Sequence, residues 1–188
     1  MPRIIDHDDL VLRLVQKASP GGVEGKKALQ KMIYFFTLEQ GGLYYRWANY
    51  GPFSPELHHI VVYLLRAGKI RAEPVPTGKP GATISRMTYP VPEGGDHNDA
   101  APVRIPDDLE RELDSVLEFA GRVDRKRQPR ELELLASVHF LAASRRKRDG
   151  GYVAERIHGH LAALKPKAGF DLDDVKRAIR ILEDESYL

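Results

Sequence analysis

The sequence contains no cysteine, and this absence removes several kinds of chemistry at once. Disulfide bonds, thiolate nucleophiles and zinc sites built on cysteine are all excluded. The chain also lacks any apolar run near the ~20 residues that a membrane-spanning helix requires. Its first ten residues carry three acidic side chains and no apolar core of the kind that a signal peptide needs. We therefore expect a cytoplasmic protein with no membrane segment.

Motifs for catalysis and for cofactor binding are absent as well. The sequence contains no G-x-S-x-G, no phosphate-binding G-x-x-x-x-G-K-[ST] and no dinucleotide-binding G-x-G-x-x-G. Histidines at helical spacing of three or four, which a helical zinc site needs, are missing, since the two histidine pairs are 58–59 and 158–160. We predict no metal, no cofactor and no enzymatic activity. A hydrolase assembled from residues distant in sequence is a weaker alternative.

Charge is nearly balanced over the whole chain but not along it. The formal net charge is only +2, which does not by itself indicate a nucleic-acid-binding protein. Between residues 122 and 148, however, nine basic side chains accompany only three acidic ones. Such runs are usually solvated helix ends, and an anionic partner is the alternative reading.

The hydrophobic pattern predicts an α+β, predominantly helical fold. The first half shows three amphipathic helices and three strands, whereas the second half is helical throughout. We predict a winged-helix-like N-terminal half with a small antiparallel sheet, and a C-terminal helical bundle packed on it as one compact unit. The predicted division is 1–92 for the first half, 93–106 for an exposed linker, and 107–188 for the second half. The main predicted elements of the first half are helices 24–40 and 55–67, an aromatic strand at 43–47, and strands at 69–75 and 82–91.

A winged helix would imply a nucleic-acid-binding regulator, which is the alternative function that the pattern allows. The helix 55–67 would enter the major groove, and the hairpin after it would be the wing. The order of elements speaks partly against this, because a winged helix places its first strand between helices one and two, and the aromatic strand comes after helix two. The candidate nucleic-acid contacts are Arg66, Arg71, Lys79 and Arg86.

The segment YYRWANYGPFSPELHH, residues 44–59, is the most distinctive part of the chain. Ser54 followed by Pro55 predicts a helix start, with Ser54 as the N-cap. The alternation of a strand places Tyr45 and Trp47 on one face and Tyr44 on the other. His58 and His59 are expected to point outward from the helix. We predict a surface for a partner protein formed by Tyr45, Trp47, His58 and His59.

Two stretches of the sequence, KKALQKMIYFF (26–36) and YYRWANYGPFSPELHHIV (44–61), resemble the N-terminal core of the Panacea domain, the SocA-like antitoxin family. They are most similar to its uncharacterised YwgA-like bacterial and archaeal relatives. LELLASVHFLA (132–142) resembles the family's C-terminal helix. The motif residues are Lys26, Leu29, Gln30, Lys31 and Tyr34 in the first stretch and Tyr50, Gly51, Pro52, Pro55, Glu56 and Leu57 in the second.

The resemblance implies a non-catalytic protein that acts by protein–protein contact, antitoxin-like or regulatory, with a toxin-like protein as its partner. The residues themselves suggest a structural role for the motif. Gln30 and Lys31 are neighbours, so at most one is expected to face the core, and Gln30 is predicted to hydrogen-bond the turn around Tyr50 and Gly51. Glu56 is predicted to accept a hydrogen bond from Lys26 or Lys31.

Overall fold

A computed structural model describes residues 6–19, 21–40, 42–76, 81–90, 103–122, 128–149 and 153–188. These residues form an α+β, predominantly helical fold, as the hydrophobic pattern predicted. No helix in the described ranges is both long enough and apolar enough to cross a membrane. The helices are α1 (His7–Lys17), α2 (Lys26–Gln40), α3 (Pro55–Arg66), α4 (Asp107–Arg122), α5 (Gln128–Asp149), α6 (Ala154–Leu164) and α7 (Leu172–Asp184). The strands are β1 (Val23–Glu24), β2 (Arg46–Ala48), β3 (Gly51–Phe53), β4 (Arg71–Pro76) and β5 (Thr83–Thr88).

A three-stranded antiparallel sheet has the order β1-β5-β4. Its first strand was missed by the sequence prediction, which started a helix at Glu24. β1 is only two residues long, and it pairs Val23 with Met87 and Glu24 with Arg86. Because β1 lies between α1 and α2, the order of helices and sheet strands is that of a winged helix. The objection raised from the sequence therefore does not hold.

The aromatic segment forms a second, two-stranded sheet rather than one strand. The predicted strand 43–47 is shifted to Arg46–Ala48, and β3 pairs with it, although Gly51 and Pro52 were predicted to lie in a turn with Tyr50. Trp47 lies opposite Pro52, and Asn49 and Tyr50 make the turn between the strands. This hairpin is inserted between α2 and α3, so it is an addition to the winged-helix order of elements.

Capping side chains set the start of two helices, and the predicted start at Ser54 is confirmed. The hydroxyl of Ser54 accepts a hydrogen bond from the backbone N–H of Leu57, and Pro55 occupies the first turn of α3. Asp171 and Asp174 form a reciprocal capping box at the start of α7. In both cases the side chain satisfies a backbone N–H that has no partner inside the helix, so the local sequence alone determines where the helix begins.

α2 is the central element and joins the two halves. Every residue from 28 to 37 is buried, so the helix has no solvent-facing side over that stretch. It packs against α4 and α5 of the second half and against β1, β3 and β5 of the first. The Phe35 ring lies 5.1 Å from Phe119 of α4 and 4.8 Å from Tyr187, which follows α7. One continuous core therefore spans both halves.

The predicted exposed linker is corrected at its end. Val103 and Ile105 pack against the core, and the backbone N–H of Val103 donates to the side chain of Gln16, 3.1 Å away. Burial of these two apolar side chains holds the chain against the protein surface before α4 begins. Residues 93–102 of the linker and Lys79 in the hairpin tip lie outside the described residues.

Candidate functional site

The motif residues meet where α2 crosses the start of α3. Gln30 and Ser54 exchange two hydrogen bonds: the Gln30 amide nitrogen donates to the Ser54 carbonyl at 3.1 Å, and the Ser54 N–H donates to the Gln30 amide oxygen at 3.2 Å. The ammonium of Lys31 donates to the Pro52 carbonyl. Two side chains of α2 thus hydrogen-bond to the backbone of the segment 52–54, of which residues 52 and 53 also pair with β2. The prediction of a bonded amide was right in kind, but its partner is Ser54 rather than the Tyr50–Gly51 turn.

Gln30 and Lys31 are both buried, contrary to the expectation that only one of them faces the core. Their exposed fractions are 6% and 2%. The expectation assumed a helix with one apolar face, whereas α2 is enclosed on all sides. Lys31 is the only lysine among the largest fully buried side chains of the described residues. Burial lowers the pKa of its ammonium from 10.5 to about 7; the nearby Lys165 adds to this shift, and Glu133 opposes it.

A buried charged group lies beside Lys31. The carboxylate of Glu133, on α5, is bonded through one oxygen to Lys165 at 2.7 Å and through the other to Lys27 at 2.8 Å. These two hydrogen-bonded ammonium groups hold the pKa of Glu133 below its usual range although burial opposes this. Lys165 also donates to the hydroxyl of Ser137 at 3.3 Å. α2, α5 and the segment after α6 are therefore joined by one ionic group.

The β2–β3 hairpin packs closely against this ionic group at Gly51. Gly51 has a φ of 86°, which a residue with a side chain rarely adopts. A Cβ atom at this position would lie 2.3 Å from the Ser137 hydroxyl oxygen and 3.6 Å from the Lys165 nitrogen. The motif glycine is thus required for two independent reasons, its backbone conformation and its close approach to α5.

Two cavities flank the motif. The first, the apolar cavity, measures about 360 Å³ and has walls that are mostly carbon, including Tyr50, Phe53, His58 and Val61. The second, the basic cavity, measures about 590 Å³ and lies between the hairpin turn, α5 and the segment 164–170. Lys27 and Tyr50 line both cavities, and the Lys27 ammonium sits 3.9 Å from the centre of the Tyr50 ring. This cation–π pair forms the wall between them.

Tyr34, another motif residue, links α2 to α5. Its hydroxyl is hydrogen-bonded to Nδ1 of His139 at 2.7 Å, and both side chains are buried. Burial lowers the pKa of His139 from 6.5 to about 4, although a hydrogen bond to the backbone of Tyr187 acts in the opposite direction. His139 belongs to the stretch 132–142, so two of the three segments on which the family resemblance rests contact each other.

The fold divides the four residues of the predicted partner surface into two pairs with different surroundings. Tyr45 and Trp47 do share a face, as the alternation predicted, but that face points inward. The Tyr45 ring packs 4.9 Å from Tyr34 and its hydroxyl accepts a hydrogen bond from Thr37 at 3.3 Å, while Trp47 packs on Phe140. Both rings are partly buried against the core, so they offer only part of their surface to a partner. The outward aromatic residue is Tyr44, which is 72% exposed.

His58 and His59 are exposed on α3, as predicted from the sequence. The ring of His58 lies 5.8 Å from Phe53 and 6.0 Å from His59, so the three rings form a continuous row. Tyr50, at 57% exposure, lines the apolar cavity together with Phe53 and His58. We refer to Tyr50, Phe53, His58 and His59 as the aromatic rim.

Glu56 does not bind a motif lysine. It lies 3.3 Å from Nδ1 of His7 and thereby connects the start of α3 to the start of α1. Lys26 is exposed, and Lys31 points to the carbonyl of Pro52 instead. The prediction failed because it paired opposite charges on neighbouring elements. Glu56 is exposed, whereas Lys31 is buried and bonded to the Pro52 carbonyl.

The predicted nucleic-acid contacts occupy two different environments. Arg66 and Arg71 are exposed at the end of α3 and on the edge strand β4. Arg86 is partly buried and paired with Glu24 at 2.9 Å, and Glu73 lies opposite it across the sheet. Two acidic residues therefore neutralise the outward face of this sheet around Arg86, so Arg86 is not a free phosphate-binding group. No group of three or more possible metal ligands occurs among the described residues.

Glu133, Lys165 and Lys27 were not identified from the sequence. One signal was present: Glu133 is the only acidic residue in LELLASVHFLA, and a lone carboxylate in an otherwise apolar helix segment indicates a buried, paired charge. Lys165 carries no such signal, because a lysine before a proline at a helix end is ordinary. Its position follows only from the way α6 packs.

Comparison with known proteins adds no family assignment. No protein-family model matches the chain. No curated protein matches it at a significant level. The likeness to the Panacea domain therefore rests on the motif residues of the sequence alone.

Proposed function

We propose that this chain is a non-catalytic protein-binding module of the Panacea type, antitoxin-like or regulatory, and that the aromatic rim receives its partner. The observation that carries the proposal is that buried and exposed residues alternate in this region. Gln30 and Lys31 are buried and hydrogen-bond to the backbone of Ser54 and Pro52, which fixes the hairpin on α2. The side chains of the aromatic rim lie on the outer side of this hydrogen-bonded base. A rigid base beneath exposed rings is what a preorganised binding surface requires.

The chemistry of the rim favours a protein partner. Tyrosine, phenylalanine and histidine rings combine apolar contact area with hydrogen-bonding edges, and tyrosine and phenylalanine are enriched at protein interfaces. The apolar cavity opens between Tyr50, Phe53 and His58, and its volume of about 360 Å³ is enough for a large side chain of the partner. We expect one apolar or aromatic anchor residue of the partner to enter this cavity.

Capture of the partner from lysate of the native host tests the proposal. The tagged chain is expected to recover one protein in stoichiometric amount, and His58→Ala is expected to abolish the capture because it removes one wall of the cavity. Tyr63→Ala is the matched control, since Tyr63 is also exposed on α3, at 53%, but does not line the cavity. Recovery of nucleic acid alone, or equal loss with both variants, argues against the proposal.

The antitoxin aspect has its own test. A protein encoded beside the gene, if it is the partner, is expected to arrest growth when expressed alone and to be tolerated when this chain is expressed with it. Coexpression of the His58→Ala variant should fail to restore growth while Tyr63→Ala restores it. If both variants restore growth, the aromatic rim is not the surface that neutralises the toxin.

A second candidate function is a nucleic-acid-binding regulator, which the strand order β1-β5-β4 favours because it matches a winged helix. In this case α3 and its exposed Arg66, together with Arg71 at the start of the wing, would contact DNA. Retention on DNA should then weaken steeply as salt is raised and should be reduced in Arg66→Gln and Arg71→Gln. Arg111→Gln, an exposed arginine on α4, is the control. Retention that is insensitive to both test variants speaks against DNA binding by this face.

A further inference from the structure

We propose that the basic cavity binds a phosphate group carried by a small molecule. This cavity lies on the far side of the Lys27–Tyr50 pair from the apolar cavity, and its lining brings together four cationic side chains, Lys27, Arg130, Lys165 and Lys167. An anionic partner was the alternative interpretation of the basic stretch 122–148, and this stretch contributes Arg130 to the cavity. The proposal does not depend on the protein partner of the aromatic rim.

The charge of the lining is unbalanced. Among the described residues that line the cavity, Glu133 is the only acidic one, and both of its oxygens are already bonded, one to Lys165 and the other to Lys27. One carboxylate cannot neutralise four cations, so an excess of positive charge faces the cavity. Excess charge at a partly buried site is costly unless a counter-charge offsets it, and an anion in the cavity would do so.

The donors needed to hold an anion are built into the site. The side chain of Lys165 is 2% exposed and is held by Glu133 and Ser137. An ammonium group has three N–H donors, so Lys27, which is bonded to one oxygen of Glu133, retains donors for a ligand. Asn49, in the hairpin turn, adds an amide at the opposite wall. These groups belong to three different segments, so the site exists only in the folded protein.

Arg130 fixes the remaining wall. Its two terminal nitrogens donate to the carbonyls of Ala168 at 2.9 Å and Gly169 at 3.3 Å, and its guanidinium lies 4.6 Å from the centre of the Phe170 ring. These contacts hold the segment 165–170 against α5. They also hold the guanidinium in place at the cavity, so its charge is positioned before any ligand arrives.

A phosphate monoester fits the cavity better than a carboxylate does. A phosphate group carries a charge between −1.5 and −2 near neutral pH and three acceptor oxygens, whereas a carboxylate has one charge and two oxygens. The larger charge suits an excess contributed by several cations. The volume of about 590 Å³ exceeds what a bare phosphate needs and is typical of sites for small organic ligands. Carbon surface from Leu164 and Pro166 is available for the organic part of such a ligand.

Calorimetric titration of the full chain with inorganic phosphate, adenosine 5′-monophosphate and a glutamate-rich peptide tests the proposal, with ionic strength held constant by sodium chloride. Saturable binding of phosphate or of the nucleotide is expected. If the nucleotide binds more tightly, the organic part contributes; if the two bind equally, the phosphate group alone is recognised. Binding of the peptide alone, or no saturable binding, overturns the proposal.

Variants then locate the site. Lys167→Gln and Lys27→Gln should each weaken binding by roughly ten-fold, because each removes one charge-assisted contact. Lys26→Gln is the matched control, since it removes the same charge from the same turn of α2 but lines only the apolar cavity. Lys167 is exposed, so its variant should fold normally.

Equal weakening of phosphate binding by Lys26→Gln, or no weakening by Lys167→Gln and Lys27→Gln, would place the binding site outside the basic cavity. Loss of partner capture in His58→Ala with phosphate binding intact would keep the two proposals distinct.

Discussion

At the scale of single residues, three polar members of the motif, Gln30, Lys31 and Tyr34, are buried and hydrogen-bonded. An amide or an ammonium inside a protein is stable only when its hydrogen-bonding groups are used. Gln30 meets this condition by pairing with both backbone groups of Ser54, and Lys31 meets it at the carbonyl of Pro52. Such residues specify where the segment 52–54 must lie, which apolar contacts alone would leave less defined.

Gln30→Ala is expected to destabilise the protein by about 1–3 kcal/mol, because it removes two hydrogen bonds and leaves the buried N–H of Ser54 without its partner. The Ser54 carbonyl keeps the hydrogen bond from the N–H of His58. The free energy of unfolding from urea titration measures the effect. Lys26→Ala, an exposed change on the same helix, should stay within about 0.5 kcal/mol of the wild type. A cost below about 0.5 kcal/mol for Gln30→Ala would rule out a buried, bonded amide at this position.

His139 gives the protein a pH dependence with a defined direction. Its pKa falls from 6.5 to about 4 on folding, so between these values the unfolded chain binds a proton that the folded protein does not. Stability should therefore decrease as the pH drops from 6.5 to 4, by up to about 1.4 kcal/mol per pH unit from this group. Unfolding free energies of His139→Gln should show a shallower slope in this window. The exposed variant His59→Gln should keep the wild-type slope; an equally steep slope in His139→Gln would contradict the assignment.

The sequence predicted some of these residues and not others for a physical reason. Gln30 was recognisable as a bonded amide because it lies beside Leu29 in an apolar helix. Lys31 was not, because charged residues are nearly always exposed unless something outside the helix pairs with them. That pairing partner is a carbonyl 21 residues away in the chain, and its position is a property of the whole fold.

At the scale of elements, long helices were predicted and short strands were not. α3 and α7 carry their own capping residues, so the local sequence determines where each helix begins. β1 has two residues and β3 contains Pro52, and neither has the alternation by which a strand is recognised. These strands form because Met87 and Trp47 offer pairing partners in the folded chain. The candidate site is built on β3, so most of its geometry was hidden from the sequence pattern.

The contact between the β2–β3 hairpin and α5 is open to a direct test at Gly51. Gly51→Ala adds backbone strain at a φ of 86° and a clash with the hydroxyl of Ser137, so we expect a loss of roughly 3 kcal/mol or more. Gly68→Ala is the control, since Gly68 also has a positive φ, of 67°, but has nothing within 4 Å of the added methyl. It should cost only about 1–2 kcal/mol.

Thermal or urea unfolding of four proteins, the wild type, Gly51→Ala, Ser137→Ala and the double variant, separates the clash from the backbone strain. Removing the Ser137 hydroxyl should make Gly51→Ala less costly, because the closest atom to the new methyl is then gone. Strict additivity of the two changes would mean that the clash is relieved by movement of the hairpin, and that hairpin and α5 are not rigidly joined.

At the scale of the whole molecule, the two halves share α2 as common core. The helix is buried on all sides from residue 28 to 37 and packs against both the sheet and the C-terminal helices. Neither half encloses its own apolar surface without the other, since α2 would be exposed along one side in each. The ionic group of Glu133, Lys27 and Lys165 reinforces the same junction.

We therefore expect the chain to unfold in one cooperative transition rather than in two. Trp47, the only tryptophan, reports on the hairpin by fluorescence, and far-ultraviolet circular dichroism reports mainly on the helices. The two signals should give the same urea midpoint, because no part of the shared core can be lost alone. Phe35→Leu should lower both midpoints together, since the Phe35 ring contacts Phe119 and Tyr187 of the second half. A fluorescence transition that shifts while the dichroism transition stays in place would show two independently stable halves and would refute a shared core.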